Sequence, residues 1–77
     1  MPQPQLSKEA ASQIALEYLK ERKNTEKVDI ALVEAQDDCW MVQGTCPIEF
    51  GDMQWPEKFT VVVDSNGKIK STDYRLL

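Results

Sequence analysis

The stretch Phe59-Thr-Val-Val-Val-Asp-Ser-Asn-Gly-Lys-Ile69 decides the fold. Phe59, Val61 and Val63 alternate with Thr60 and Val62, the period of a strand with one buried face. Asp64-Ser65-Asn66-Gly67 then turns the chain, because Asn and Gly accept the positive φ values that hairpins require. Ile69 opens the returning strand, which runs towards Tyr74, Leu76 and Leu77. Strands joined this closely run antiparallel.

Working back from this hairpin, Trp40 and Val42 alternate with Met41 and Gln43 in a strand that ends near Gly44. Val28, Ile30 and Leu32 alternate with Asp29 and Ala31 in an earlier strand, and Gln36-Asp37-Asp38 reads as the turn between the two. Short connections between consecutive strands predict an antiparallel meander. One face of that meander needs a cover, and the sequence offers one helix. Ser7 is a good N-cap, and Glu9 in the first turn suits the positive end of the helix dipole. Ala11, Ile14, Ala15, Tyr18 and Leu19 recur at helical spacing. Lys20, Arg22 and Lys23 close the last turn, and Asn24-Thr25 is the stop. The expected architecture is therefore α+β, in the order α-β-β-β-β: an N-terminal helix on a four-stranded antiparallel meander. Its stripe should lie across Ile30, Leu32, Trp40, Val42, Phe59, Val61 and Ile69. Residues 1–6, rich in Pro and Gln, read as a flexible tail, and residues 7–77 as a single domain.

A chain of 77 residues that is 42% hydrophobic and 29% charged fits one small folded domain with a modest core. Its apolar stretches are too short to span a bilayer. The first residues lack the basic and apolar regions of a secretory signal, so the expected location is cytoplasmic. The net charge is −4. It is concentrated in residues 28–57, which hold Asp29, Glu34, Asp37, Asp38, Glu49, Asp52 and Glu57 and no Lys or Arg. Such a region repels phosphate, which argues against nucleic acid and against an anionic membrane surface. It would steer a basic partner towards the domain.

The chain has no histidine, which removes the commonest general base and metal ligand. Cys39 and Cys46 lack C-x-x-C spacing. On one strand they would point to opposite faces, about 23 Å apart, too far for a disulfide. Reduced thiols follow, although a chain folding back before Cys46 would reopen the pairing. Asp37-Asp38 sits in a turn, Glu49, Asp52 and Glu57 lack the spacing of a calcium loop, and the scattered glycines form no phosphate cradle. No catalytic residue, metal or cofactor is expected, and the chain does not read as an enzyme.

One stretch resists the regular pattern: residues 46–57, with prolines at 47 and 56 and Gly51 between them. These residues argue against a continuous strand or helix. Yet Ile48, Phe50, Met53 and Trp55 lie inside it, beside Glu49, Asp52 and Glu57. The apolar side chains plug an open end of the core, or form a partner surface with an acidic rim, or the stretch is simply disordered. The first two hold at once if Ile48 or Phe50 points inward and Met53 or Trp55 outward. The function expected is a non-catalytic protein-interaction or regulatory module, binding a basic protein through Ile48, Glu49, Phe50, Asp52, Met53, Trp55 and Glu57. An alternative is a small-ligand pocket between helix and sheet, lined by Tyr18 and Trp40. The unit should be a monomer or a weak homodimer, the latter through Met41, Thr60 and Val62 on the outer sheet face.

The run Ser7-Lys-Glu-Ala-Ala-Ser-Gln-Ile-Ala-Leu-Glu-Tyr-Leu19 resembles the opening helix of PepSY-like domains. Trp40-Met-Val-Gln-Gly44 is similar to their second strand, and residues 59–69 to their closing hairpin. Cystatin-like domains share this helix-plus-meander order. The resemblance implies a binding or regulatory module, in some cases acting on proteases, with no catalytic residues to carry over. Loop 46–57 is an addition to that pattern.

Overall fold

A computed structural model describes residues 6–76, the side chain of Phe50 excepted. The tail expected over residues 1–6 lies outside the described residues up to residue 5. Leu6 belongs to the fold instead: it packs against the core, and its carbonyl accepts the Trp40 indole N–H at 2.8 Å.

The helix α1 spans Lys8–Lys23. Ser7 Oγ accepts the Ala10 N–H at 3.1 Å and Ser7 O accepts the Ala11 N–H at 2.9 Å, satisfying donors that the first turn leaves open. At the other end Asn24 turns left-handed, with φ 51° and ψ 47°, and its N–H returns to Lys20 O. Ala11, Ala15 and Leu19 are fully buried along one side, with Ile14 and Tyr18 half-buried beside them.

The strands β1 (Asp29–Gln36), β2 (Cys39–Phe50), β3 (Met53–Val63) and β4 (Ile69–Leu76) form one sheet in the order β1-β2-β3-β4, every neighbour antiparallel. The expected helix on a four-stranded meander is the observed architecture. Val42, Phe59, Val61 and Val63 are completely buried on the face under α1. Gly44 sits opposite Phe59. A Cβ there would come within 2.7 Å of Phe59 Cζ and 2.0 Å of Asp29 O, so a side chain at 44 would displace both the ring and the neighbouring strand. The β3–β4 turn is tied by Asp64, whose Oδ1 accepts the N–H groups of Asn66 and Lys68, each at 2.9 Å, while Gly67 takes φ 83°.

Two expectations need correction. Leu32 does not lie under the helix. The register shifts between Ile30 and Leu32, so Ala31 is an extra residue, Val33 takes the inward place opposite Val42, and Leu32 faces outward at 44% exposure. A bulge of one residue reverses the facing of everything after it. Nor are residues 46–57 irregular. They complete β2 and begin β3, paired from Cys46↔Glu57 to Phe50↔Met53. The two-residue turn Gly51-Asp52 joins them, with Gly51 at φ 59°, the place where such tight hairpins take glycine.

The prolines explain why the sheet narrows there. Pro47 faces Pro56 across the ladder. Such a pair fits a non-hydrogen-bonded position, where N–H groups would point away from the partner strand, so the ribbon loses no internal bond. The missing donors fall on its outer edges instead. Accordingly β1 pairs with β2 as far as Thr45, and β4 pairs with β3 as far as Glu57. Beyond these points, among the described residues, β2 and β3 pair only with each other. The result is a two-stranded arm on an elongated molecule of 46 × 20 × 17 Å.

Candidate functional site: the hairpin arm

Side chains alternate across a strand, and directly opposed residues share a face. Cys46, Ile48, Trp55 and Glu57 therefore continue the sheet face that carries Val42, Phe59 and Val61, and Met53 follows at the tip. The helix covers this face only as far as its C-terminus at Lys23. Past that point, among the described residues, the face is open: Trp55 is 45% exposed and Met53 57% exposed, whereas Phe59, on the same strand and face, is sealed.

Of the residues expected to bind a partner, Ile48 is half-buried opposite Trp55, and Phe50 is placed by register opposite Met53. Glu49 and Asp52 are exposed, and Glu49 Oε1 accepts the Gln54 amide N–H across the ribbon at 3.4 Å. A surface cleft between the helix end and the arm is lined by Lys23, Asn24, Pro47, Ile48 and Glu49.

Glu57 stands apart. It is buried at the root of the arm, with Oε1 2.8 Å from Lys23 Nζ, so it is not part of an acidic rim. The same ammonium lies 4.0 Å from the centroid of the Tyr74 ring, and the Cys46 thiol is 4.0 Å from Glu57 Oε1. This knot ties the last helical turn to β2, β3 and β4 where the arm leaves the body. Sequence reasoning missed it. Its one local signal was Lys23 in the last turn, which reads equally well as a dipole partner.

The knot is partly shielded from solvent. Burial pushes the Cys46 thiol up from its ordinary range, the Glu57 charge adds to this, and Lys23 opposes it. Burial also raises the Tyr74 hydroxyl, with Tyr18 adding to the rise and Lys23 and Arg22 opposing it. That hydroxyl has no hydrogen-bond partner among the described residues. Cys39 lies elsewhere, on the opposite face of β2, its thiol 3.4 Å from Asp38 Oδ1 and 3.9 Å from Lys70 Nζ. Burial raises it first, the hydrogen bond to Asp38 second, and Lys70 opposes. Both cysteines are free and buried, and both are held as thiols, the weakly nucleophilic form.

The interior between helix and sheet is filled by Ala11, Ala15, Leu19, Val42, Phe59, Val61 and Val63. Tyr18 and Trp40 pack against that cluster. On the outer face Met41, Thr60 and Val62 are half-buried. Among the described residues, no helix is long and apolar enough to cross a membrane. The chain matches no family model, no curated protein and no solved structure.

The arrangement has a definite chemical character. It is an apolar strip on a ribbon with blunted edges, carrying carboxylates near its tip and anchored at its root by the partly buried Lys23–Glu57 ion pair.

Proposed function

We propose that this chain is a non-catalytic protein-interaction module that presents the apolar face of its hairpin arm to a protein partner. The observation that carries this is the exposure of Trp55 and Met53, 45% and 57%, on the uncovered continuation of the core face. Large apolar groups gain nothing from that position unless a partner covers them, and Trp and Met are enriched where interfaces bury most surface. Glu49 and Asp52 beside them favour a partner with basic groups around an apolar contact. The prolines at 47 and 56 oppose strand addition along the arm, so the contact is made by the face and not by an edge. The helix-then-meander order shared with PepSY-like and cystatin-like domains supports a binding or regulatory role over an enzymatic one. Two free buried thiols suit the reducing conditions of the cytoplasm.

The test is the double substitution Met53→Ser/Trp55→Ser. The variant should melt within about 2 °C of the parent, as surface changes do, and should lose the partner that the parent retains from native lysate. A melting temperature lowered by several degrees would show that these side chains stabilise the fold. Retention of the same partner by the variant would place the contact elsewhere.

A further inference from the structure

The arm face is the bare end of a surface whose other end is already covered by a helix. Given that the arm is a docking face, we infer that its occupant is an amphipathic helix with an apolar stripe and Lys or Arg on its flanks. Three features of the molecule favour this occupant. The first is continuity. The face that α1 covers through Ala11, Ala15 and Leu19 runs on past the Lys23–Glu57 pair, through Cys46 and Ile48 to Trp55. A second helix placed past Lys23 would meet the same pleated surface that receives α1.

The second is dimension. Beyond the buried root pair Cys46↔Glu57, the arm comprises four residue pairs, Pro47↔Pro56 to Phe50↔Met53. At about 3.4 Å per residue these span roughly 10 Å, the length of about seven helical residues, or two turns. Two strands with their side chains are about as wide as a helix, whereas a second sheet would overhang the ribbon on both sides. An extended peptide would have to pair along an edge, and the prolines remove donors there.

The third is charge. Glu49 and Asp52 are exposed near the tip and form no ion pair among the described residues, the nearby Lys23 being committed to Glu57. The free carboxylates therefore favour cationic flanks on the incoming helix. The α1 helix of a second copy does not qualify, because its apolar stripe is buried against its own sheet.

The test uses the full chain, labelled with nitrogen-15, and three synthetic peptides of about 14 residues. One places Leu at helical spacing among Lys. The second has the same composition with Leu and Lys alternating. The third is a Leu/Glu helix. The readout is the pair of indole N–H signals. Trp55 reports the arm, and Trp40, whose N–H is held by Leu6 O at 2.8 Å, reports the body. The Leu/Lys helix should shift Trp55 saturably and leave Trp40 in place. Met53→Ser should weaken it roughly tenfold, as loss of a central contact does. Glu49→Gln/Asp52→Asn should weaken it several-fold, and more at low salt than at high.

A Trp55 signal moved equally by the alternating peptide or by the Leu/Glu helix would overturn the inference. So would no movement at all, or movement of Trp40 alongside Trp55. A Trp55 signal that shifts with protein concentration, together with sedimentation as a dimer, would put a second copy on the face. That result, or preference for the alternating peptide, ends the helix proposal and leaves the arm a docking face. Silence towards every peptide, together with a several-degree fall in melting temperature for Met53→Ser/Trp55→Ser, ends both.

Discussion

Phe59 and Trp55 lie on one strand and one face, yet one is sealed and the other is 45% exposed. In the body the face is closed by α1, whose small Ala11 and Ala15 let the helix approach the sheet closely, and it is flanked by β1 and β4. In the arm the same alternation continues, among the described residues, on two strands alone with no helix above them. A two-stranded ribbon is marginal by itself. Here it continues a four-stranded sheet and is fastened at its root by the Lys23–Glu57 pair and the Tyr74 ring. The body thus supplies the stability, and the arm extends a surface that the body itself has no need to leave open.

That contrast can be broken by substitution. Phe59→Ala should cost about 3–5 kcal/mol, because it empties the centre of the core, and a domain this small should be largely unfolded by it. Denaturant titration checks this. Gly44→Ala should cost about 2–3 kcal/mol, since the new methyl group meets Asp29 O and the Phe59 ring. By contrast Gly51→Ala at the arm tip, where nothing lies within 4 Å, carries only the backbone cost of φ 59°, about 1 kcal/mol. Equal costs at the two glycines would contradict the division between body and arm.

At the junction, Glu57→Ala should cost about 1–3 kcal/mol, because it leaves the Lys23 ammonium partly buried without its carboxylate. Amide exchange should then quicken in residues 46–57 before it does in the body. A uniform increase would mean that the pair stabilises the whole domain and not the root.

Alkaline pH gives a smaller effect. Cys39 and Cys46 titrate higher in the folded chain than in the unfolded one. Their contribution is complete below the unfolded thiol value, about 8.5, and is lost as pH rises through the folded values. The melting temperature should therefore fall above about pH 8.5, and the fall should be shallower in Cys46→Ala, whatever that variant's own starting stability. The smallest change belongs to Trp55→Ala, within about 0.5 kcal/mol of the parent, which the same denaturant titration reads.

Much of the body is legible in the sequence because its signals are local. The Ser7 cap, the Asn24 stop and the Asp64–Gly67 turn each sit within a few residues of the bonds they make. The bulge at Ala31 leaves no such trace: in Ile30-Ala-Leu-Val33 either Leu32 or Val33 could face inward, and the pairing with β2 decides. The arm was hidden for a different reason. Pro47 and Pro56 break strands when considered singly, and are accommodated in one only when they face each other across a ribbon with free edges. The pairing of Glu57 with Lys23 depends on the helix end meeting β3, a contact between distant parts of the chain.

The separation of body from arm is tested most directly by the exchange rates of the two indole N–H protons, measured in one sample of the unliganded chain. Trp40, bonded to Leu6 O, should exchange far more slowly than Trp55, whose rate should approach that of a free indole. Equal protection of the two would mean that Trp55 is held within the folded interior, and the arm would then be part of the core.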